Sequence, residues 1–252
     1  MQINSIAIIG KGNVATRYFY ALKEKGFQVE MVSSREPFSL NVLKSDLIII
    51  AVKDEAITQV AKDLGRVPGI VVHTSGFVET TFLAENADVY GSFYPLQTLK
   101  KDIEIDFSNV PLCTYANTIE GEDLLKSLAL KLTTKHFSLS DSQRRTLHLG
   151  AVFANNFTNH LFGIAKEILE KDEIPFETLF PLMEVTLSRV KENNPFDVQT
   201  GPAFREEISI MQEHVDKLPE ERKEIYKLLS NSIIKQKNKY NEKTSCSDRS
   251  RD

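Results

Sequence analysis

A turn that contains two glycines constrains the fold of this chain more than any other feature. It follows the apolar run 6–9, which has the composition of a strand buried on both faces, and it opens a segment with helical spacing. Gly10 permits a tight turn, Gly12 lets a pyrophosphate approach the backbone, and the small Ala15 lets the helix pack closely on the strand. Free N–H groups at the start of that helix then meet the phosphates. We predict a dinucleotide site formed by Gly10, Gly12, Asn13, Val14 and Ala15; the alternative is a turn that serves packing alone.

The residues after the second predicted strand distinguish between the two nicotinamide cofactors. This strand spans 27–33, and an NAD site places an acidic residue near its end for the ribose hydroxyls. Here the strand ends in Ser33, Ser34 and Arg35. Two hydroxyls and a guanidinium bind a 2′-phosphate well, whereas a carboxylate at this point would repel it. We therefore predict NADP in preference to NAD, with an ordinary surface arginine as the alternative for Arg35.

Further predicted strands, over 46–52, over 70–72 and near residue 89, end in polar turns. Ligands of an open α/β sheet bind at the carboxyl ends of its strands, so these turns are candidates to line a nicotinamide crevice. We assign to the cofactor site Val52, Lys53 and His73, and to catalysis Ser75 and Tyr94. Ordinary turn chemistry is the alternative for each of them.

The hydrophobic period changes near residue 140, which predicts two domains. Strands alternate with helices up to that point, and the rest is helical, with helices predicted over 144–171, 176–192, 203–217 and 219–235. The predicted fold is an α/β Rossmann-like, doubly wound, mostly parallel sheet over 1–140, followed by an all-α domain over 141–236. The polar segment 237–252 is expected to be a disordered tail.

The helical part offers two candidate groups. At 100° per residue, His148, Asn155 and Asn159 fall within about 40° of one another, on a stripe that faces either solvent or an interdomain cleft. We favour the cleft, because two asparagines inside a helix indicate a retained hydrogen-bonding role. Arg205 follows a Thr-Gly-Pro start signal, so it either simply belongs to a capped first turn or directs a positive charge at a substrate carboxylate or cofactor phosphate.

Composition and net charge limit the classes of partner that the chain is expected to bind. The net charge of −4 and pI near 5.8 give no global field for nucleic acid or for an anionic membrane. No apolar stretch approaches the length of a membrane span, and we expect neither export nor insertion. The two cysteines, Cys113 and Cys246, provide no disulfide framework, which fits a cytoplasmic protein. No His, Cys, Asp or Glu cluster has the spacing of a metal site.

Six motifs together resemble a family of bacterial Rossmann-like proteins with a C-terminal helical domain of unknown function. In chain order they are Gly10-x-Gly12-Asn13-Val14-Ala15, Val52-Lys53-Asp54, His73-Thr74-Ser75-Gly76, Tyr94-Pro95-Leu96-Gln97-Thr98, Asn155-Asn156 and Thr200-Gly201-Pro202-Ala203-x-Arg205. The chain looks like a distant relative of pyrroline-5-carboxylate reductase, ketopantoate reductase and the deazaflavin-dependent NADP reductases, which often dimerise through the helical domain. The resemblance implies NADP binding and oxidoreductase activity.

The chain departs from the resembled patterns at four positions. Tyr94 stands where the family usually has histidine, and Glu206-Glu207 replaces the usual Gly-Asp after the arginine. Ala151 occupies the position of a lysine found in related hydroxyacid dehydrogenases, so chemistry assisted by that lysine is not expected.

Two functions remain open on these residues. In the first, a homodimeric NADP-dependent oxidoreductase passes hydride between nicotinamide and a small carbonyl, imine or hydroxy compound. Asn155 would bind the reacting atom, Ser75 or Tyr94 would relay a proton, and Arg205 would anchor an anionic group. In the second, a non-catalytic NADP-binding module serves as a redox sensor or assembly partner. A helical domain that serves dimerisation alone is a third interpretation.

Overall fold

The computed structural model describes residues 2–99 and 105–248, and the side chains among them as far as residue 239. The chain separates into two compact units, Met1–Thr158 and Asn159–Asp252. The division at residue 140 that the change of hydrophobic period predicts, between a cofactor-binding domain and a helical domain, stays a prediction.

The first unit contains a seven-stranded sheet with the order β2-β1-β3-β4-β5-β6-β7. Strands β1 to β5 are parallel, β6 is antiparallel to β5, and β7 is parallel to β6. In chain order the strands are Ser5–Ile9, Gln28–Val32, Leu47–Ile50, Ile70–His73, Tyr90–Pro95, Leu112–Ala116 and His136–Ser138. This is the predicted doubly wound, mostly parallel sheet.

The helices of the first unit follow its strands. They are α1 (Asn13–Glu24), α2 (Leu40–Leu43), α3 (Asp54–Leu64), α4 (Ile119–Leu132) and α5 (Asp141–Ala151). Short 3₁₀ helices cover Thr81–Glu85 and Phe107–Asn109. The connections between parallel strands are therefore the crossovers that a parallel sheet requires.

Alternation along the strands produces two cores, one on each face of the sheet. Ile6 and Ile8 of β1 pack into one core, and Ala7 and Ile9 of the same strand pack into the other. The first core also takes side chains of α1 and α4, and the second takes those of α3. Burial on both faces explains why β1 and β3 read as continuous apolar runs.

The second unit is helical. Its helices are α6 (Thr158–Glu170), α7 (Phe180–Glu192), α8 (Pro202–Arg205), α9 (Ile208–Lys217) and α10 (Glu220–Asp248), with a 3₁₀ turn over Phe176–Leu179. Where the sequence predicts one helix over 203–217, the structure has α8 and α9. The break falls at Glu206, whose φ of 58° is the left-handed conformation that glycine adopts readily. This conformation accounts for the glycine that the resembled motif usually has there.

Two other predictions for the helical part need correction. Six residues, Val152–Phe157, form a π-helical segment between α5 and α6, so the angular spacing of an ideal α-helix does not hold from His148 to Asn155 and Asn159. The backbone is helical to Asp248, where the sequence predicts a disordered tail from residue 237. Lysines and a glutamate lie in this segment, and such residues favour a helix even without a packed face. Residues 249–252 lie outside the described part.

Within the described chain, no helix combines the length and the apolar character that crossing a bilayer requires.

Candidate functional site

The glycine turn lies where the strand order of the sheet reverses, between the carboxyl ends of β1 and β3. Gly10 has a φ of 133°, and a Cβ added to it would lie 2.2 Å from the carbonyl oxygen of Ala51, the residue after β3. Only glycine fits this position. A crevice at such a switch point is where ligands of doubly wound sheets bind.

The first turn of α1 presents backbone donors that no side chain caps. Gly12 is the N-cap residue, its φ of −79° is ordinary, and a Cβ built on it would meet no atom within 4 Å. The first turn contains no acidic residue, and Ala15 is buried against the sheet as predicted. The N–H groups at this helix start therefore have no side-chain cap, and the positive end of the helix dipole lies at an open Gly12.

The residues after β2 form a compact polar turn. The Ser33 hydroxyl accepts a hydrogen bond from the Arg35 backbone N–H over 3.2 Å, which orders the turn. Ser33 and Ser34 are half-buried, and the Arg35 side chain is exposed. Among the side chains described, no ion pair to Arg35 is formed, so its guanidinium remains available to an anion.

Val52 and Lys53 follow β3 at the same edge of the sheet. Val52 is half-buried, and its Cγ1 lies 3.4 Å from the position of a Cβ on Gly10. Lys53 is the exposed N-cap residue of α3. Both predicted cofactor residues thus border the glycine turn, Val52 by contact and Lys53 by its position in the chain.

His73 has a different place from the predicted one. The side chain is fully buried; its Nδ1 accepts a hydrogen bond from the Ser75 backbone N–H over 3.2 Å, and Nε2 lies 3.3 Å from the Glu79 carbonyl oxygen. Both ring nitrogens are therefore used inside the protein. The imidazole holds the loop after β4 and does not line an open crevice.

Ser75 belongs to the same loop. Its hydroxyl oxygen accepts hydrogen bonds from the backbone N–H groups of Phe77 and Val78, each over 3.0 Å. The hydroxyl proton meets no acceptor in the described part of the chain, so Ser75 keeps one donor. The loop itself is held at both ends, by His73 and by Ser75.

Tyr94 and His148 form a hydrogen-bonded pair at the end of β5. The Tyr94 hydroxyl lies 3.0 Å from Nδ1 of His148, and the rings meet edge to face. Tyr94 is 9% exposed, and burial, with the neighbouring Cys113, raises its pKa to about 12. A Cβ added to Gly76 would lie 2.6 Å from Nδ1 of His148 and 2.9 Å from the Tyr94 ring. Glycine at position 76 is what lets this pair form.

A buried ion pair fixes α5 against β5. The Arg144 side chain is fully buried; Nη1 donates to Asp141 Oδ1 over 2.5 Å and to the Ser92 hydroxyl over 2.8 Å, and Nη2 donates to the Val78 carbonyl. Asp141 Oδ2 in turn accepts from the backbone N–H and hydroxyl of Thr80. Partial burial alone would raise the pKa of Asp141, but the bonds from Thr80 and Arg144 lower it.

This ion pair also sets the register between the helix and the strand. Arg144 meets Ser92, and His148, one helical turn later, meets Tyr94, two strand residues later. Four residues of α-helix rise about 6 Å and two strand residues span nearly 7 Å, so the two spacings agree. We call the contacts of Arg144 with Asp141, Ser92 and the Val78 carbonyl the Arg144 clamp. This clamp places His148 over the end of β5.

Asn155 lies in the π-helical segment and is exposed. Its Nδ2 donates to the Thr98 hydroxyl over 3.1 Å, which connects it to the segment after β5. Nδ2 also donates to Oδ1 of Asn156 over 3.4 Å, so the amide keeps its oxygen for another partner. Sites of π-helical geometry often carry function, because the extra residue changes the direction of the side chains.

Arg205 belongs to the second unit and is already paired. Its Nε and Nη2 donate to the two carboxylate oxygens of Glu207 over 2.8 and 2.9 Å. This fork-like pair raises the pKa of Arg205 and lowers that of Glu207, in each case first through the hydrogen bond. Arg205 is therefore paired within the second unit, and its part as an anion anchor stays a prediction.

Sequence reasoning missed the parts played by Arg144 and Asp141, and it placed His148 on a polar stripe without its hydrogen bond to Tyr94. Nothing in a sequence distinguishes a buried arginine from an exposed one, since arginine is exposed in most proteins. The four-residue spacing of Arg144 and His148 was the available signal, because it puts both on one helix face. The described residues contain no group of three or more His, Cys, Asp or Glu placed to hold a metal ion.

Comparison with known proteins identifies relatives of this fold. Residues 110–233 match a domain of unknown function, DUF2520. A Bacteroides fragilis protein, BF3122, whose crystal structure bears the provisional description NADP oxidoreductase, is 32% identical over 92% of this chain and 98% of its own, with a TM-score of 0.84. The chain belongs to the family of this protein. No curated protein sequence matches it.

More distant structures share the fold of the family. The Thermotoga maritima protein TM1727 has a TM-score of 0.69 at 17% identity and covers 94% of this chain and 99% of its own. An imine reductase from Myxococcus stipitatus, solved in complex with NADP+, has a TM-score of 0.61 at 15% identity and covers 92% of each chain. The Rossmann-like fold with a helical C-terminal part is therefore shared well beyond the family.

The burial of His73 predicts a pH dependence of stability. Burial, and then the charge of Arg144, lowers the pKa of His73 from 6.5 to about 4, so the folded protein keeps this ring neutral where the unfolded chain protonates it. The free energy of unfolding is therefore unaffected by the titration of His73 above pH 6.5. It falls by about 3 kcal/mol as the pH drops from 6.5 toward 4, because the unfolded chain binds a proton that the folded protein does not. Denaturant unfolding between pH 7 and pH 4.5 measures it.

The matched variants are His73→Asn and His160→Asn. The asparagine introduced at position 73 keeps an acceptor for the Ser75 N–H but has no group that titrates in this range. We expect a flatter pH profile for His73→Asn, and an unchanged slope for the variant at the exposed His160. Equal slopes in the wild type and His73→Asn would contradict the assignment of a buried neutral imidazole.

Proposed function

We propose that this protein is an NADP-dependent oxidoreductase that transfers hydride between nicotinamide and a small carbonyl, imine or hydroxy compound. The observation that carries the proposal is the uncapped, open start of α1 at the switch point between β1 and β3. The description of the Bacteroides fragilis relative as an NADP oxidoreductase supports it. We also propose that the chain is a distant relative of pyrroline-5-carboxylate reductase, ketopantoate reductase and the deazaflavin-dependent NADP reductases.

The residues around the glycine turn fit a dinucleotide. Gly12 leaves room for a pyrophosphate at the backbone, and the N–H groups of Asn13, Val14 and Ala15 would donate to it. Val52 and Lys53 border the same crevice. The nicotinamide ring, when bound, supplies or accepts the hydride.

The turn after β2 would select the phosphorylated cofactor. Ser33 and Ser34 offer hydroxyls, and Arg35 offers an exposed guanidinium that matches a phosphate in shape and charge. The ordering of this turn by the bond between the Ser33 hydroxyl and the Arg35 N–H supports a preformed site. His73, which the sequence assigned to the cofactor, would act only by holding the loop after β4.

The chain's own polar groups would orient the substrate. The Asn155 amide would hydrogen bond the reacting oxygen or nitrogen, and the Ser75 hydroxyl would donate its remaining proton to the same region. Tyr94 would act through the hydrogen bond that it makes to His148. Arg205 would anchor an anionic substrate only by exchanging Glu207 for the substrate carboxylate.

A non-catalytic NADP-binding module is the second candidate function. The pairing of Arg205 with Glu207 favours it, because the predicted substrate anchor is occupied by the protein itself. Nicotinamide oxidation or reduction by the NADP-saturated protein separates the two functions. Turnover with any small carbonyl, imine or hydroxy compound supports the enzyme, and none across a broad panel supports the module.

We further propose a homodimer formed through the second unit. No residue of α7 is buried, although the helix carries apolar side chains over most of its circumference. These exposed side chains are Phe180, Leu182, Val185, Leu187 and Val190. Contiguous apolar surface of this kind is typical of protein interfaces.

The first test of the cofactor site is Gly12→Asp. The backbone at residue 12 suits any residue and the new side chain meets no atom, so we expect a folded protein whose α1 gains an N-cap. The carboxylate would repel a pyrophosphate, and we expect NADPH affinity in calorimetry to fall at least a hundredfold. A Gly12→Asp variant that binds NADPH like the wild type would contradict the site.

Gly10→Ala is the contrasting variant. Its Cβ collides with the Ala51 carbonyl, and we expect the free energy of unfolding to fall by about 3 kcal/mol.

The second test separates NADPH from NADH. Arg35→Ala should weaken NADPH binding tenfold to a hundredfold, the worth of a charge-assisted hydrogen bond, and leave NADH binding unchanged. Arg66→Ala removes an exposed arginine that pairs with Asp88 and should change neither affinity. If Arg35→Ala weakened both cofactors equally, the selection of the 2′-phosphate by this turn would be wrong.

The third test concerns the dimer. Light scattering should return twice the chain mass of 28.5 kDa for the wild type. Replacement of both Leu182 and Leu187 by Asp should give a folded monomer, whereas Leu130→Asp, at an exposed leucine of the first unit, should leave the dimer intact. A wild-type protein that stays monomeric at high concentration would remove the proposal.

A further inference from the structure

The hydrogen bond between Tyr94 and His148 determines where the imidazole carries its proton. Tyr94 keeps its own proton at neutral pH, because burial raises its pKa to about 12. A buried hydroxyl needs an acceptor for that proton, and Nδ1 of His148 is the only one within hydrogen-bond distance among the described atoms. Nδ1 therefore accepts, and the proton of the neutral imidazole resides on Nε2.

The Nε2 side of the His148 ring, across from Nδ1, is open. His148 is half-buried, and Nε2 has no partner in the described part of the chain, yet it is not one of the fully buried polar atoms. The Nε2–H group is thus an accessible donor. It lies on a ring that touches Gly76 and Tyr94, residues that follow β4 and end β5 at the edge of the sheet shared with Gly10.

The ring is held rigidly in this position. The buried ion pair of Arg144 with Asp141 fixes the helix one turn earlier, and Gly76 packs against the imidazole on the Nδ1 side, beside Tyr94. Two elements and a loop therefore determine one orientation and one tautomer. Preorganisation of a donor in this way is what makes it effective toward a ligand.

We propose that His148 contacts the reacting atom in addition to Asn155, that its Nε2–H donates a hydrogen bond to an oxygen, and that the substrate is consequently a carbonyl–alcohol pair. Tyr94 is then a positioning residue for His148. The inference rests on the proposed oxidoreductase function and narrows it. A ketone, aldehyde or alcohol oxygen has lone pairs and accepts from N–H, whereas the nitrogen of an iminium ion, the activated form of an imine, has no lone pair and cannot accept.

The reaction balances with the proposed cofactor. Reduction adds a hydride from NADPH to the carbonyl carbon, breaks the carbon–oxygen π bond and leaves the electron pair on oxygen, which takes a proton from water to give the alcohol. NADPH is oxidised to NADP+. His148 retains its Nε2 proton throughout and stabilises the negative charge that develops on the oxygen.

The tautomer is tested without any substrate, by ¹⁵N NMR of the histidine rings at neutral pH. The His148 signals, identified by their loss in His148→Asn, should show an unprotonated Nδ1 and a protonated Nε2. Tyr94→Phe should move the ring toward a mixture of tautomers. A wild-type ring that carries its proton on Nδ1, or is unaffected in Tyr94→Phe, would overturn the inference.

Gly76→Ala tests the placement of the ring while removing no polar group. The new Cβ would displace His148 and Tyr94, so the His148 signals should shift as in Tyr94→Phe. Gly150→Ala is the matched control: it lies on α5 two residues after His148, and an added Cβ meets nothing within 4 Å. Identical spectra for wild type and Gly76→Ala would show that the contact is absent.

Kinetics with NADPH then test the contact with the reacting atom. Across matched aldehydes, ketones and cyclic iminium compounds, we expect reduction of carbonyls, and a fall in kcat of a hundredfold or more in His148→Asn with an unchanged NADPH dissociation constant. Preference for iminium compounds, or full activity of His148→Asn, would overturn this inference alone. Failure to bind NADPH would instead overturn the proposed function, while the NMR result still decides the tautomer.

Discussion

The exit of β1 lies so close to the exit of β3 that only a residue without a side chain fits between them. Gly10 takes a φ of 133° beside the Ala51 carbonyl, and the chain then turns at once into α1. Because the turn is tight, the helix starts at the switch point of the sheet with its N–H groups uncapped. The open space at Gly12 lies at this point, and the polar turn at Ser33 lies next along the same edge, after the neighbouring strand β2.

A second constraint organises the other end of this edge. The Arg144 side chain is fully buried, and Asp141, Ser92 and the Val78 carbonyl accept its hydrogen bonds. Removing one partner of such a pair is costly, since it leaves an uncompensated buried charge. The clamp aligns α5 with β5, and the equal rise of one helical turn and two strand residues delivers His148 to Tyr94. The glycine turn and the clamp thus supply the two halves of one candidate site in the first unit.

Local signals made the sheet and the glycine turn predictable. The apolar run before Gly10 and the run before Val52 determine buried parallel strands by composition alone, and turn chemistry marks their ends. The clamp was not predictable, because the burial of Arg144 depends on partners 52 and 66 residues away in the chain. His73 was misplaced for the same reason: its position after a strand was correct, but its side chain points into a loop that folds back on it. The π-helical segment around Asn155 is likewise a tertiary feature that helical periodicity misses.

The central claim is that the switch-point crevice binds a phosphorylated nicotinamide dinucleotide, and thermal unfolding of the unmodified chain tests it most directly. A ligand present at a hundred times its dissociation constant stabilises a protein by about 2.7 kcal/mol, which for a chain of this size raises Tm by roughly 5–10 °C. We predict such a rise with NADPH and a clearly smaller one with NADH at the same concentration. An unchanged Tm with both cofactors would mean that the glycine turn serves packing alone, and it would contradict the claim.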